Sequence, residues 1–290
     1  MIELLAPAKI NLFLSILGRR EDGYHELVTR MQKIDLCDHL NISTRRSPGI
    51  HLSCSDKTLA SGKNNLVVIA AEKFLKAAGL IFEYGLDIHL EKRIPVAAGL
   101  GGGSSDAGAV LKGLNTLFKT PLSAEQLVEI ATTIGADVPF FTVDYPSAIA
   151  SGIGERLSAA PDIEGFWIIL VNPGIPVSTR AIFENYTLTT VPKNSKVPSF
   201  QKRRLTDFSV GQMHNDLEPV AILSQPVIET IKLSLLENGA VAAMMSGSGP
   251  TVFGLFPTEQ YTEPEINTLV DRFTMVYGRR VYAARPFAGA

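Results

Sequence analysis

Cysteine is scarce in this chain: Cys37 and Cys54 are the only two among 290 residues. Two thiols make neither a disulfide framework nor a four-ligand zinc site. Cys37 stands beside Asp38 and His39 in "DLCDHLNI", but adjacent side chains on a strand point to opposite faces and make poor joint ligands. The segment reads as a strand edge. Excess charge of one sign is missing too. Against 29 acidic residues there are 27 basic ones, a net charge of −2, which gives no field for attracting nucleic acid or an anionic membrane. The compact basic run Lys202-Arg203-Arg204 reads as a solvated face or loop. The apolar run around "GFWIILVNPG" is far too short to span a bilayer. No basic leader opens "MIELLAPAKINLFL", and Lys9 and Asn11 interrupt it, so no signal peptide is expected. What remains is a cytoplasmic enzyme or binding protein with no nucleic-acid and no membrane partner. No heptads or large apolar stripe stand out, and the expected state is a monomer or weak homodimer.

What is present describes a soluble globular protein: 46% of residues are hydrophobic and 19% charged, over a length sufficient for two packed cores. Periodicity predicts strands at "KINLFLSIL", "LNISTR", "GIHLSC" and "GLDIHLEKRIP". Helices are predicted at "NNLVVIAAEKFLKAAG", "SDAGAVLKGLNTLF" and "SAEQLVEIATTIG", the last capped by Ser123. Proline, glycine and serine accumulate in "YPSAIASGIGERLSAAPDIEG", which places a boundary between domains 1–157 and 158–290. Beyond it come the buried strand "FWIILVNP", a polar stretch over 187–206, the helix "QPVIETIKLSLLENG", a strand-turn-strand in "AVAAMMSGSGPTVFGLF", the helix "PEINTLVDRFT" and the strand "RRVYAARP". That order suits an α+β second domain of ferredoxin-like type.

The chemistry concentrates in "PVAAGLGGGSSDAG", residues 95–108. Glycine permits positive φ and lets another group approach without meeting a Cβ. A helix start carries unpaired N–H groups and partial positive charge, so the two together form a cradle for phosphate oxygens. Ser104 and Ser105 add hydroxyls that could also reach a phosphate-bound Mg²⁺, and with Asp106 they supply acceptors at the helix N-terminus. The alternative is a glycine turn that merely packs a helix on a sheet. The Walker pattern is excluded because no lysine follows the glycines, and the dinucleotide pattern because Ser104 stands where its third glycine belongs.

The run P-x-x-x-G-L-G-G-G-S-S-D, Pro95 to Asp106, resembles the phosphate loop of the GHMP kinases, the superfamily of galactokinase, homoserine kinase and mevalonate kinase. "APAKINLFLSILGRREDGYHEL" (6–27), "GADVPFF" (135–141), "NDLEP" (215–219) and "MSGSGPTVFGLF" (245–256) are similar to further motifs of one branch, which phosphorylates a cytidine-diphosphate alcohol of the non-mevalonate route to isoprenoids. Gly108 departs from the pattern, which has alanine there; helix propensity prices this at about 0.5–1 kcal/mol. The resemblance implies a two-domain α+β GHMP kinase fold, with a ribosomal protein S5 domain 2-like N-terminal domain that binds ATP and a ferredoxin-like C-terminal domain on the substrate side.

The resemblance also implies roles. Pro95, Val96, Ala97, Ala98, Gly99, Leu100, Gly101, Gly102, Gly103, Ser104, Ser105 and Asp106 would hold ATP with Mg²⁺, for which no protein ligand is assigned, and Asn65 and Leu66 would lie near adenine. Asn65 reads equally as a helix cap. Lys9, in an apolar strand with Asn11 on the same face, would stabilise the developing charge; by residue type alone it is also a snorkelling lysine. Asp137 would be the general base, against a helix cap as the alternative. Tyr24, His25 and Phe183, otherwise ordinary packing residues, would hold the cytosine, and Asn11 and Thr179 would contact the polar remainder of the substrate. Ser246, Gly247, Ser248 and Gly249 read as a hairpin turn, which the family brings beside the active site; Ser246 and Gly247 would touch substrate.

Overall fold

In a computed structural model of the chain, residues 1–59, 62–119, 122–186 and 208–287 are described. The polar stretch 187–206 and the basic run 202–204 lie outside the described residues. Two compact units interleave along the sequence: Met1–Ala8, Leu36–Val96 and Gly101–Asp144 make the first, and Lys9–Asp35, Ala97–Leu100 and Tyr145–Ala290 the second. Each has a hydrophobic core of its own. Among the described residues no single helix is long and apolar enough to cross a membrane.

Two strands contribute residues to both units, β1 (Ile2–Arg19) and β2 (His25–Arg45). They are 18 and 21 residues long, far beyond the usual five or six, and periodicity recovers only their most apolar pieces. Thr29, Arg30, Gln32 and Lys33 break the pattern, yet all four are buried. Burial without hydrogen bonds would be costly. Arg30 donates to the Pro161 carbonyl at 2.6 Å and Gln32 to the Pro146 carbonyl at 3.3 Å. The strand edge expected at Cys37–His39 is corrected here. These residues lie within β2, where His39 pairs with Glu91, and Asp38 tolerates full burial because a lysine reaches it.

In the first unit β3 (Gly49–Cys54) runs parallel to β4 (Gly85–Glu91), with α1 (Leu66–Ala77) as the crossover, and residues 39–45 of β2 pair antiparallel with β4. A parallel pair needs such a crossover. In β4 Leu86, Ile88 and Leu90 are buried while Asp87 and His89 are exposed, the alternation of a strand with one face on the core. They meet Phe74 from α1 and Val110 and Leu114 from α2 (Gly102–Leu117). The helices α3 (Ala124–Thr132) and α4 (Val138–Thr142) complete the unit. Ser123 caps α3 in a reciprocal box with Gln126, as expected.

In the second unit residues 27–32 of β2 pair antiparallel with β5 (Ser147–Gly152), which pairs with β6 (Arg156–Ala160). A four-stranded antiparallel sheet has the order β10-β7-β9-β8, from β7 (Phe166–Val171), β8 (Ala242–Met245), β9 (Val252–Pro257) and β10 (Val281–Ala284). Five of the six residues of β7 are buried, as its unbroken apolar run requires of a central strand. The connections carry α5 (Thr179–Asn185), α6 (Glu218–Ser224), α7 (Val227–Glu237) and α8 (Glu263–Tyr277). This is the ferredoxin-like arrangement. The seven-residue helices α5 and α6 escape a periodicity reading because two turns do not establish a repeat.

Gly108 has a structural reason. A Cβ there would lie 2.6 Å from the Phe141 Cβ and 2.9 Å from its carbonyl carbon, so α2 and α4 approach at a distance only glycine allows. The modest propensity penalty anticipated for glycine is therefore the smaller term. Gly108→Ala improves helix propensity by about 1 kcal/mol, but overpacking of this kind costs about 1–3 kcal/mol. A net loss of stability is expected. Denaturant melts of the two proteins check this, and a variant more stable than the parent would overturn it.

Candidate active site

In the first unit the glycine loop ends in α2, whose N-cap is Gly101 with φ 70° and no side-chain cap bond. The helix therefore begins at Gly102, three residues earlier than the expected start at Ser105, and Ser104, Ser105 and Asp106 are not cap acceptors but part of the helix. The Ser105 N–H already donates to the Gly101 carbonyl at 2.8 Å. Ahead of it the N–H groups of Gly102, Gly103 and Ser104 precede the first helical bond, the arrangement that receives an anion. The Ser105 hydroxyl is buried without a hydrogen-bond partner among the described residues. A Cβ on Gly102 would come within 3.0 Å of Ile94 Cγ2, while Leu66 Cδ1 would be 3.6 Å from one on Gly103. Leu66 thus flanks the glycine start. Asn65 caps α1 through an Oδ1 that accepts from the Val67 N–H at 2.9 Å.

Beneath this start lies a buried triad that the sequence reading missed. Lys92 Nζ donates to Asp38 and, at 2.8 Å, to Asp106 Oδ2. The three side chains are 6%, 0% and 3% exposed. Asp38 also accepts from the Ile94 N–H at 2.8 Å and from the Arg93 N–H, so it ties the strand end before the loop to the ammonium. Burial acts to lower the Lys92 pKa, but the two carboxylates outweigh it and the net shift is upward. Burial pushes the Asp106 carboxyl up to about 7, with Lys92 opposing and Asp38 adding to the rise. Asp106 Oδ1 has no partner. A carboxyl half protonated at neutral pH lowers the negative charge beside a cradle for anions. Asp137 stands at the start of α4, where its side chain makes no cap bond; the capping alternative is thereby removed.

The second unit holds Lys9. Its ammonium, 4% exposed with the rest of the residue, donates to the Gly99 carbonyl at 2.8 Å and to Asn11 Oδ1. Asn11 Nδ2 donates onward to Thr29 Oγ1 at 2.8 Å, and Thr29 Oγ1 to the Phe13 carbonyl at 2.6 Å. Lys9 is thus no snorkelling lysine but a buried cation held by oriented oxygens. Ser246 Oγ reaches the same Gly99 carbonyl at 3.0 Å. The turn Ser246–Gly249 does connect β8 and β9, and Thr179 Oγ1 meets Ser248 Oγ at 2.7 Å. Thr29, the link behind Asn11, gave no signal: a threonine in a strand is unremarkable until its partners are known.

His25 and Phe183 meet with ring centroids 5.3 Å apart, and Tyr186 stands edge-on to His25 at 6.4 Å. Burial, then the Arg19 guanidinium, pushes His25 below its ordinary pKa, so at neutral pH its ring offers one donor and one acceptor. Tyr24 is not drawn into this group; it is 61% exposed. Tyr186 was not anticipated, since one more aromatic near a helix end carries no mark of its own.

A helix that starts on glycines in one unit and a buried lysine in the other are features that phosphate-handling enzymes use. Comparison with known proteins specifies the class. The chain matches the family description "GHMP kinases N terminal domain" over residues 65–145 and "GHMP kinases C terminal" over 198–274. It is 44% identical over 288 residues to the 4-diphosphocytidyl-2-C-methyl-D-erythritol kinase of Desulfotalea psychrophila, covering 98% of this chain and 95% of that one. The same identity holds over 286 residues with the like-named protein of Syntrophotalea carbinolica, covering 99% of both. A crystal structure of a 4-(cytidine 5'-diphospho)-2C-methyl-D-erythritol kinase superposes with a TM-score of 0.79 at 34% identity, covering 98% of each chain. This chain belongs to the GHMP kinases.

The elevated Asp106 carboxyl gives stability a definite pH dependence. In the unfolded chain such a group titrates near 3.9; folded, it titrates at about 7. Between these values the native state binds a proton that the unfolded state has released, so this contribution to stability falls as pH rises. The difference in unfolding free energy between wild type and Asp106→Asn should therefore shift against wild type as pH rises from 5 to about 7 and level off above that. Denaturant melts at four pH values test this, and a pH-independent difference would refute it.

Proposed function

We propose that this protein transfers the γ-phosphoryl group of ATP to the 2-hydroxyl of 4-diphosphocytidyl-2-C-methyl-D-erythritol, in isopentenyl diphosphate biosynthesis by the non-mevalonate pathway. The observation that carries the reading is the buried Lys9 ammonium anchored on the Gly99 carbonyl, within the phosphate loop itself. Near-complete coverage of relatives with that printed name supports the choice of acceptor. On the same reading the enzyme acts in the cytoplasm, as a monomer or weak homodimer, on small molecules alone.

In this mechanism the N–H groups of Gly102, Gly103 and Ser104 bind triphosphate oxygens and orient the terminal phosphorus for in-line attack. The acceptor oxygen forms its bond to phosphorus as the bond to the ADP oxygen breaks, and its proton passes to the Asp137 carboxylate. Lys9, fixed by Asn11 and Gly99, offsets the negative charge on the reacting oxygens. Among the described residues no cluster of three or more His, Cys, Asp or Glu could hold a metal, so an ion would ride on the phosphates. The unpartnered Ser105 hydroxyl, with Ser104, suits such an ion. Bound with ATP, Mg²⁺ would neutralise charge on the β- and γ-phosphate oxygens. His25 and Phe183 would hold the cytosine, His25 through its ring edge and Phe183 by stacking, with Tyr24 on the open side; Asn11, Thr179, Ser246 and Gly247 would contact the rest of the acceptor.

ADP release from purified protein, ATP and Mg²⁺ tests the reaction with each acceptor in turn. Turnover is expected with the cytidine conjugate; turnover with homoserine or mevalonate and none with the conjugate would sink the proposal. Asp137→Asn should cut kcat at least about a hundredfold while leaving substrate binding nearly intact, and retained turnover would remove it as the base. Phe183→Ala should weaken acceptor binding by about 1–3 kcal/mol, the range of base-stacking losses. Calorimetric titration reads this directly, and unchanged affinity would exclude Phe183 from the site.

A further inference from the structure

The turn Ser246–Gly249 is closed by the Gly249 N–H donating to the Ser246 carbonyl at 2.9 Å, and the Ser246 N–H donates to the Thr251 carbonyl at 2.9 Å. Gly247 and Gly249 take φ of 56° and 83°, and glycine is the residue with most freedom to lose on ordering. Yet this turn sets the surroundings of Lys9. A Cβ on Gly247 would lie 3.1 Å from Lys9 Nζ and 3.2 Å from Asn11 Oδ1, and Ser246 shares the Gly99 carbonyl with Lys9.

The segment His214–Glu218 adds side-chain anchors to the turn and to the strand end before it. Asn215 Nδ2 donates to the Met245 carbonyl at 2.9 Å and to the Gly247 carbonyl at 2.7 Å, one on each side of Ser246. Its Oδ1 accepts from the Leu217 N–H at 3.0 Å, so the amide cannot swing away. Glu218 Oε2 accepts from the Met245 N–H at 2.7 Å, and its other oxygen is paired with Lys232. Both residues are buried. The same segment grips the strand that carries Lys9: Leu14 N–H donates to the His214 carbonyl at 2.8 Å, Asp216 N–H to the Leu14 carbonyl at 3.0 Å, and Ile16 N–H to Asp216 Oδ2 at 2.7 Å. Five residues therefore fix both the lysine's strand and the glycine turn its ammonium faces.

We infer that Asn215 and Glu218 are positioning residues for phosphoryl transfer: they hold the Ser246–Gly249 turn so that Lys9 and the Gly99 carbonyl keep their geometry. The inference rests on the reading of Lys9 given above. Neither side chain touches the reacting atoms; each acts through the turn. Holding a charged group this closely matters because an ammonium displaced by about 1 Å loses much of its catalytic benefit.

Coupling to Lys9 separates positioning from general support of the fold. Steady-state kinetics are measured on Asn215→Ala, Lys9→Ala and the double variant, each first shown to melt cooperatively. Asn215→Ala should lower kcat at least about tenfold with the KM for ATP changed less than about threefold, and should cost less than about twofold more once Lys9 is alanine. Equal losses in both backgrounds would overturn the inference. Glu218→Gln, which keeps an oxygen for the Met245 N–H, should recover most of the kcat lost in Glu218→Ala; failure of that rescue would count against Glu218. A readout without turnover covers failure to fold or a wrong acceptor. Acetylation of Lys9 by acetic anhydride, followed by mass spectrometry, should be several times faster in whichever of Asn215→Ala and Glu218→Ala folds, because an unpinned turn exposes the ammonium. An unchanged rate would refute the inference. Full turnover by Lys9→Ala would instead strike the reading of Lys9, leaving the acetylation result to judge the positioning role.

Discussion

A carbonyl oxygen is the fixed point of this protein. Gly99 O accepts from both Lys9 Nζ and Ser246 Oγ, and that sharing requires backbones to approach where no side chain fits. A Cβ on Gly99 would stand 2.2 Å from the Ser246 carbonyl oxygen, and the residue has φ 76°. Only glycine meets both demands. The glycines of the loop are thus not interchangeable. Gly99 admits the turn from β8, Gly101 takes the left-handed cap that starts α2, and Gly102 and Gly103 leave the first N–H groups open to an anion. Flexibility would be the wrong word for Gly99 and Gly102: a Cβ on Gly99 would meet a neighbour at 2.2 Å and one on Gly102 at 3.0 Å, whereas Gly103 has room for one.

Each unit holds a lysine with a buried ammonium, and the two solve the same problem in different ways. Lys92 meets two carboxylates, and its positive charge is more than matched, so the triad is structural and its surplus is relieved by protonation of Asp106. Lys9 donates to a carbonyl and an amide oxygen, neutral acceptors that fix the direction of its ammonium.

Much of the architecture was legible because it follows from short-range rules. The alternation of β4, the capping box at Ser123 and the unbroken apolar run of β7 each state their own structure. The glycine loop and Lys9 were legible as anomalies, too much backbone freedom in one place and a cation in an apolar strand. The triad was not. Asp38 and Lys92 lie 54 positions apart, and neither is unusual for its segment; only tertiary contact turns a surface-type aspartate into a fully buried one. Tyr186 and Thr29 were invisible for the same reason. The start of α2 was misread because serine and aspartate are common caps, whereas the structure uses a left-handed glycine and leaves the serine hydroxyl for other partners. That substitution is itself informative: a helix that satisfied its own N-terminus with side chains would have nothing left to offer a phosphate.

On the inference above, the motif around Asn215 serves the chemistry through the turn it holds rather than by meeting the reacting atoms. A glycine turn can admit ligands closely only if it carries no bulk, and without bulk it cannot pack itself into place. Beyond its own backbone bonds, its rigidity comes from hydrogen bonds that other residues make to its carbonyls and to the strand end before it. Asparagine, with two donors and an acceptor on a short stem, and glutamate, with a second oxygen free to find a counter-ion, are suited to that task when buried. Close approach at Gly99 and Gly247 and buried polar clamps at Asn215 and Glu218 are therefore two halves of one constraint: the nearer the backbone must come to the reacting groups, the more of its support must be borrowed from residues that never meet them.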